Sequence, residues 1–267
     1  MKPLPTVKNV SSLFYSIIHN LELLQLPRNF GNELKVHRLR LELLRLRLSR
    51  WGQATGVCSV EPEGSDEDNG ESAVFREKAE VIEDLLDTIK NLLEKATEES
   101  QKLAPKDING VTDQYIDTEN EFGPPRFKRL QFRIHDLVKK RLIRAGNHVK
   151  GAKWVLYKKE HCEALARQMT DLLGQLEKLT VPEEKLQELA KKECDEMGDS
   201  LKTLLEVTDT VDPLLQTTAA QKLEADTLSR SVSVSAGVNY GLQIGVNYGS
   251  LQGVIIGANG TVNNNWK

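Results

Sequence analysis

Histidine and cysteine are the side chains in this sequence best suited to chemistry at neutral pH. The chain has five histidines and three cysteines, and their spacing matches neither a metal site nor a CxxC pair. His161 and Cys162 are adjacent, but neighbours on a helix point about 100° apart, which does not suit a catalytic dyad. The GxSxG, GxxxxGK[ST], HExxH and GxGxxG motifs do not occur. The sequence therefore predicts a protein that is not an enzyme and uses no metal or cofactor.

The chemistry that the sequence does offer is backbone and amide hydrogen bonding in its last stretch, Ser231 to Trp266. Three glycine-led units recur there at a spacing of eight residues. Between Arg230 and Lys267 there is no charge and no proline, and Val, Ile, Tyr and Leu recur. Asparagine side chains can stack as ladders between identical chains in register. The residues predicted to template amyloid are Gly237, Val238, Asn239, Tyr240, Gly241, Gly245, Val246, Asn247, Tyr248, Gly249, Gly253, Val254, Ile255, Ile256 and Gly257.

Two interpretations of this tail follow from its composition. It is either a flexible low-complexity end or a segment that is disordered in the soluble protein and becomes a cross-β or β-solenoid structure on assembly. The exact repetition of GVNYG favours assembly, because a linker has no need to repeat Val and Tyr in phase. The repeat resembles the sigma-type amyloid signalling motif of fungal signalosomes. That resemblance implies self-association and templating by the matching motif of a nucleotide-binding receptor.

Composition and charge limit what the rest of the chain does. The chain has 267 residues, 39% of them hydrophobic, which is adequate for one domain core ahead of the tail. A net charge of −3 argues against a general nucleic-acid binder. The scattered cysteines predict a reduced intracellular protein, and the first residues lack the features of a signal peptide. We expect a helical domain over 1–225, a linker over 226–230 and the amyloid motif over 231–267.

The first predicted helix runs from Val7 to Leu24 and has one apolar face. It falls short of the roughly 20 apolar residues that a membrane span requires. Two interpretations stay open: a helix packed on the domain, and a segment that leaves the domain to enter a bilayer once triggered. The residues of this face, which form the membrane-candidate helix, are Val7, Val10, Leu13, Phe14, Ile17, Ile18, Leu21 and Leu24.

The following segments also show helical spacing. Leu34 to Ala54 keeps a seven-residue leucine repeat, and its arginines predict a solvated or salt-bridged face. A further helix is predicted from about Ser72 to Leu103. Two helical patterns follow, one that begins at Phe127 and a second that includes Trp154 and Val155. The next helix is predicted from Leu156 to Leu179, and the helical spacing continues beyond it. The stretch Arg126 to Lys159 is strongly basic. We expect it to pair with the acidic helix that ends near Leu103, or else to face anionic lipid headgroups.

A second resemblance covers about residues 1 to 225. The segment Leu39-Arg40-Leu41-Glu42-Leu43 through Arg47-Leu48-Ser49-Arg50-Trp51-Gly52 is similar to the RLxLxxxRLSRWGxA signature of the HeLo domain of fungal prion-inhibition proteins. The family implies a mainly α helical bundle, with a small strand pair in some members. It also implies a soluble inactive state in the cytoplasm, templated refolding of the tail, exposure of the first helix and permeabilisation of the plasma membrane. Anionic lipids are the partner implied after activation.

The first helix departs from the family pattern. Members that kill cells carry an apolar amino-terminal segment rich in Gly and Ala. Here polar side chains interrupt the helix, namely Ser11, Ser12, Tyr15, Ser16, His19 and Asn20. A rival function is therefore a binding or inhibitory module that captures or propagates the amyloid state without membrane insertion.

Overall fold

The computed structural model describes residues 7–26, 33–58, 77–102, 125–142, 154–155, 158–208 and 211–232. They form a mainly α fold, as predicted, with one short pair of strands. The helices are α1 Val7–Leu23, α2 Leu34–Ala54, α3 Ala79–Lys102, α4 Pro125–Leu142, α5 Lys159–Thr180, α6 Glu183–Met197, α7 Leu201–Thr208 and α8 Pro213–Val232. A 3₁₀ turn, Gly198–Ser200, joins α6 to α7.

Helix α2 lies at the centre of the bundle. It contacts α1, α4, α5, α6 and α7, and every residue from 41 to 52 is buried. Its leucines explain this position, because Leu39 and Leu43 lie on one side of the helix and Leu44 and Leu48 lie on the other, at about 100° per residue. A helix that is apolar on two opposite sides packs between other elements. Helix α3 packs on α1 and α5, outside this centre.

The strands are β1 Leu24–Gln25 and β2 Trp154–Val155, and they pair in parallel with Leu24 opposite Trp154. The prediction that Trp154 and Val155 begin a helix is therefore wrong. A run this short cannot be assigned by periodicity, and backbone pairing with the end of α1 decides its conformation. The pair joins two segments that lie far apart in the sequence.

The chain divides into two compact units, 1–219 and 220–267, and the division falls within α8. The described part of the second unit, 220–232, continues this helix. Residues 226–230, for which the sequence allows a marginal helix or a linker, are helical. Residues 217–230 lack Gly and Pro and are rich in residues that tolerate a helix, with the sequence TTAAQKLEADTLSR. The proposed boundaries of domain, linker and motif stay predictions.

Candidate functional site

The apolar face of α1 is packed inside the bundle. Val10, Phe14, Ile17, Ile18 and Leu21 are buried against α3 and α2. Of the other three residues predicted for this face, Leu13 is half-buried, Leu24 is buried in β1, and the side chain of Val7 lies outside the described residues. Each buried apolar side chain contributes about 1.5–3 kcal/mol. Helix α1 therefore cannot leave the bundle unless another apolar environment replaces this one.

Phe14 is held in a close-fitting seat on α2. Its ring centroid lies 6.0 Å from that of Trp51. A Cβ atom on Gly52 would lie only 2.5 Å from Cζ of Phe14 and 2.8 Å from Sγ of Cys58. The seat is itself anchored, because Nε1 of Trp51 donates a 2.8 Å hydrogen bond to Oγ1 of Thr180 in α5. Glycine at position 52 is thus what allows α1 to approach α2.

Polar contacts at the end of α1 reinforce this seat. Nη2 of Arg45 lies 3.0 Å from Oε2 of Glu22, and its Nη1 lies 3.6 Å from Oε2 of Glu42. Arg38 donates a hydrogen bond to the backbone carbonyl oxygen of Leu24, where α1 gives way to β1. Arg45 and Glu42 are buried, so their charges are little screened by solvent. The helix is therefore held by apolar packing and by one ion pair, between Arg45 of α2 and the exposed Glu22 of α1.

A second buried cluster lies on the other side of α2. Arg50 is fully buried and donates from Nε and Nη2 to Glu193 of α6, at 3.0 and 2.7 Å. Nη2 and Nη1 also donate to the carboxylate of Asp212, at 2.6 and 3.3 Å. Arg141 of α4 completes the cluster, with Nη2 lying 2.7 Å from Oε1 of Glu193. Two cations thus face two carboxylates. We call Arg50, Arg141, Glu193 and Asp212 the Arg50 cluster.

The charge of Arg50 is secured by this arrangement. Burial by itself would lower the pKa of Arg50, but Asp212 and Glu193 outweigh burial and raise that pKa above its ordinary value. A buried charge is tolerated only while its partners are present. Removing either carboxylate would leave an uncompensated charge in the core.

Asp212 also caps the amino-terminal end of α8. We call Asp212 and the preceding residue, Val211, the root of α8. Its Oδ1 accepts a 3.1 Å hydrogen bond from the backbone N–H of Leu215, the contact of an N-cap residue, and Pro213 follows at the first helical position. Arg47 adds a second anchor. It donates 3.0 and 2.6 Å hydrogen bonds to Glu177 and a 2.9 Å hydrogen bond to the carbonyl oxygen of Val211. The helix that leads towards the repeat is therefore fastened to α2 by two buried arginines.

The arginines of α2 were predicted as a solvated or salt-bridged face, and Arg45, Arg47 and Arg50 are salt-bridged and buried. Arg50 stands in the RLSRWG segment, but Arg50, Glu193 and Asp212 were not among the predicted site residues. A usable signal for burial was present, because Arg50 lies between Leu48 and Trp51 in a helix that is rich in leucine. The partners could not be found this way, since they lie more than a hundred residues further along the chain.

The basic helix α4 pairs with acids other than those predicted. Arg126 pairs with Glu206 at 3.1 Å, Arg133 with Asp199 at 2.7 Å and Lys140 with Glu196 at 2.7 Å. These acids lie in α6, the 3₁₀ turn and α7, rather than in α3. The expectation that these basic side chains pair with α3 is therefore wrong. The acids of α3 and the bases of α4 match in charge, but α4 packs on α2, α6 and α7.

The cysteines and histidines show no arrangement for nucleophilic or metal chemistry within the described residues. Burial raises the pKa of Cys58 and of Cys162 to about 12, so both stay protonated thiols at neutral pH. His161 Nδ1 lies 4.0 Å from Oε2 of Glu99, on α3. No group of three or more metal-ligating side chains occurs in this part of the chain.

None of the described helices combines the length and apolar character that crossing a bilayer requires.

The residues predicted to template amyloid, from Gly237 to Gly257, lie outside the described residues. Their role stays a prediction. The described structure reaches the motif only at Ser231 and Val232, where α8 ends.

Comparisons with known proteins point to one family. The model of the family described as HeLo, prion-inhibition and propagation, matches residues 6–207. Heterokaryon incompatibility protein S of Podospora anserina is 29% identical over 220 residues, covering 81% of this chain and 72% of the relative. Heterokaryon incompatibility protein s of the same organism is 30% identical over 221 residues, with the same coverage. The solved HET-s N-terminal domain superposes with a TM-score of 0.67 at 26% identity, covering 82% of this chain and 98% of that domain.

Proposed function

Because this chain belongs to the HeLo family of prion-inhibition and propagation proteins, we propose that it is a cell-death effector of fungal heterokaryon incompatibility or innate immune signalling. It acts without catalysis. The signal is the amyloid fold of a nucleotide-binding receptor's motif, which templates residues 231–267 and allows further copies of this chain to join. The resting protein is cytoplasmic, and the activated protein permeabilises the plasma membrane.

One observation carries this proposal: a single helix, α2, holds both the root of α8 and the apolar face of α1. Arg47 and Arg50 bind Val211 and Asp212 on one side of α2. Gly52, two residues after Arg50 and therefore on the opposite side at about 100° per residue, makes the seat of Phe14. A change that starts at α8 thus reaches α1 through one element.

The sequence of events follows from these contacts. Templating of the tail into strands competes with the helical conformation of α8 and draws its root away from α2. Withdrawal of Asp212 breaks a buried ion pair, a loss of about 3–5 kcal/mol, and leaves Arg50 and Arg141 to share one buried carboxylate, that of Glu193. The bundle then loses its tight packing, and α1 presents Phe14 and its other apolar side chains to a bilayer. Amphipathic helices bind membranes through such a face.

A second candidate function uses the same tail without the membrane step. In it, the protein captures or propagates amyloid assemblies and remains a folded bundle. The polar side chains of α1 favour this candidate, because Ser12 is exposed and Tyr15, Ser16, His19 and Asn20 are half-buried. Each would oppose full insertion of the helix into hydrocarbon.

Dye release from anionic liposomes separates the two candidates. Full-length protein is added with and without preformed fibrils of a peptide containing residues 231–267. We expect release only when fibrils are present, and no release from a variant that lacks 231–267. Capture of the full-length protein by the fibrils without dye release would overturn the effector and favour the capture module. Continued co-aggregation of the truncated variant with fibrils would overturn the templating role of the tail.

A further inference from the structure

A cavity lies beside the Arg50 cluster, where α2, α4 and α6 meet. Its volume is about 320 Å³, within the range of roughly 300–1,000 Å³ that small-molecule sites occupy. Leu137, Leu189 and Cys58 line it, and all three are buried. Burial raises the pKa of Cys58 to about 12, so its thiol adds no charge to this wall. The cavity therefore offers an apolar surface to a compact organic molecule.

Arg141 lines the same cavity, and its side chain is 8% exposed. A guanidinium group has five N–H donors, and three contacts engage them here. Nε donates to Oε1 of Gln53 at 2.6 Å, Nη1 donates to Oγ of Ser49 at 3.1 Å, and Nη2 lies 2.7 Å from Oε1 of Glu193. Gln53 and Ser49 are neutral, and Glu193 also holds Arg50. Arg141 is thus a buried cation that shares its carboxylate and keeps two N–H donors for a further partner.

The carboxylates that line the cavity are already engaged. Both oxygens of Glu193 accept hydrogen bonds from Arg50, and Oε2 of Glu196 accepts a 2.7 Å hydrogen bond from Nζ of Lys140. Lys140 and Lys192 are exposed at the mouth, and each pairs with an acid four residues before it in its own helix. Because exposed pairs of this kind contribute little stability, both ammonium groups can turn towards a bound anion at small cost.

We propose that this cavity binds a small organic acid, whose carboxylate or phosphate group contacts Arg141 and whose apolar part packs on Leu137 and Leu189. A guanidinium group binds the oxygens of such anions in a planar fork, and Lys192 adds positive charge at the mouth. Because Arg141 belongs to the Arg50 cluster, the ligand supplies a further anion to two buried cations. A ligand that binds only the folded protein stabilises it.

Binding of this kind deepens the proposed function, on which its biological purpose rests. Templating acts on the Arg50 cluster by withdrawing Asp212, whereas the ligand strengthens the cluster at Arg141, so a bound acid restrains activation. Binding to the resting protein is measured without fibrils or liposomes. Failure of the protein to bind therefore overturns the ligand site, whereas failure of fibrils to cause dye release overturns the proposed function.

The test is scanning calorimetry and NMR titration of the full-length protein at constant ionic strength. Benzoate and phenyl phosphate are the probes for the two kinds of anionic group, and benzamide is the neutral analogue of benzoate. We expect at least one of the anions to raise the midpoint of unfolding by a few degrees at about ten times its dissociation constant. Benzamide should leave the midpoint unchanged. An equal rise with benzamide would overturn recognition of the anion.

Four variants locate the binding site. Arg141→Lys keeps the charge but removes the planar fork, and it should weaken binding about tenfold. Lys192→Gln should weaken binding about threefold. Lys191→Gln is its matched control, because Lys191 is exposed on the same helix but does not line the cavity. Leu189→Phe leaves every charge in place and fills the cavity with a larger side chain, so it should abolish binding.

Three results would overturn the proposal. The first is the absence of binding by the wild-type protein. The second is an equal loss of affinity from Lys191→Gln and Lys192→Gln, which would make the effect one of net charge. The third is unchanged affinity in Leu189→Phe, which would place the bound acid elsewhere on the protein.

Discussion

At the scale of single residues, the molecule depends on charges placed where water cannot screen them. Arg50, Glu193 and Asp212 are all fully buried. Such ion pairs are weak stabilisers compared with apolar packing, yet breaking one costs several kcal/mol. This asymmetry makes Asp212 suited to a trigger: the cluster adds little stability while it is intact and becomes strongly unfavourable once α8 moves away.

Asp212→Asn isolates this ion pair, because asparagine caps a helix about as well as aspartate. We expect the substitution to lower the free energy of unfolding by about 3 kcal/mol, since Arg50 loses one of its two carboxylate partners. Urea denaturation of the bundle measures it. Asp199→Asn is the matched control, an exposed acid paired with Arg133, and should cost less than about 1 kcal/mol. Equal losses in the two variants would contradict a special role for the Arg50 cluster.

At the residue scale, the sequence predicts which side chains of α1 are buried but not which residues pack against them. The apolar face of α1 followed from spacing, and Val10, Phe14, Ile17 and Leu21 are indeed buried. Nothing in the spacing says which helix covers that face, because side chains on any neighbour could do so. The partners of Arg50 are likewise set by how the helices pack. Periodicity locates a buried face, but packing decides what lies against it.

At the scale of secondary-structure elements, α2 contributes to both the seat of Phe14 and the Arg50 cluster. Its bounds, Leu34–Ala54, agree with the seven-residue repeat in the sequence. The repeat succeeded because the helix is long and strongly patterned. The two-residue strand β2 shows the opposite case, where contact with β1 rather than local sequence sets the conformation. Long elements were therefore predictable, whereas short connecting segments were not.

Gly52→Ala tests the seat that α2 offers to α1. The new methyl group would lie 2.5 Å from Cζ of Phe14, so the ring must shift. We expect the free energy of unfolding to fall by about 1–3 kcal/mol, as for other overpacked cores. The substitution should speed up amide hydrogen exchange more in α1 than in α5, because the displaced side chain, Phe14, belongs to α1.

Gly174→Ala is the control for this substitution. Gly174 also lies within a helix, α5, but its Cβ would meet only Nη2 of Arg47, at 3.4 Å. An alanine there gains up to about 1 kcal/mol of helix propensity. The two substitutions are thus expected to have opposite signs. A stabilised Gly52→Ala variant would show that Phe14 is not held as tightly as the structure indicates.

At the scale of the whole molecule, the division between the two compact units falls within a helix and not in a loop. The first compact unit ends at Ala219, inside α8, and the buried side chains of Leu215 and Ala219 belong to the bundle. The same helix continues to Val232, two residues into the motif assigned from the sequence. One continuous element therefore joins the core to the segment proposed to refold. This continuity is invisible to composition, which changes only after Arg230.

Two truncations test whether the bundle depends on the start of α8 but not on the tail. Removing 231–267 should leave the midpoint of thermal unfolding, followed by circular dichroism, within a few degrees of the full-length value. Removing 209–267 also deletes Asp212, Leu215 and Ala219, which are buried. The loss of Leu215 alone costs about 1.5–3 kcal/mol, and the deletion of Asp212 leaves Arg50 without one of its partners. Since small domains are stable by only about 5–15 kcal/mol, the shorter protein should unfold at a temperature tens of degrees lower or lack a cooperative transition.

If both truncated proteins unfold near the full-length midpoint temperature, the root of α8 does not support the bundle, and withdrawal of α8 could not release α1.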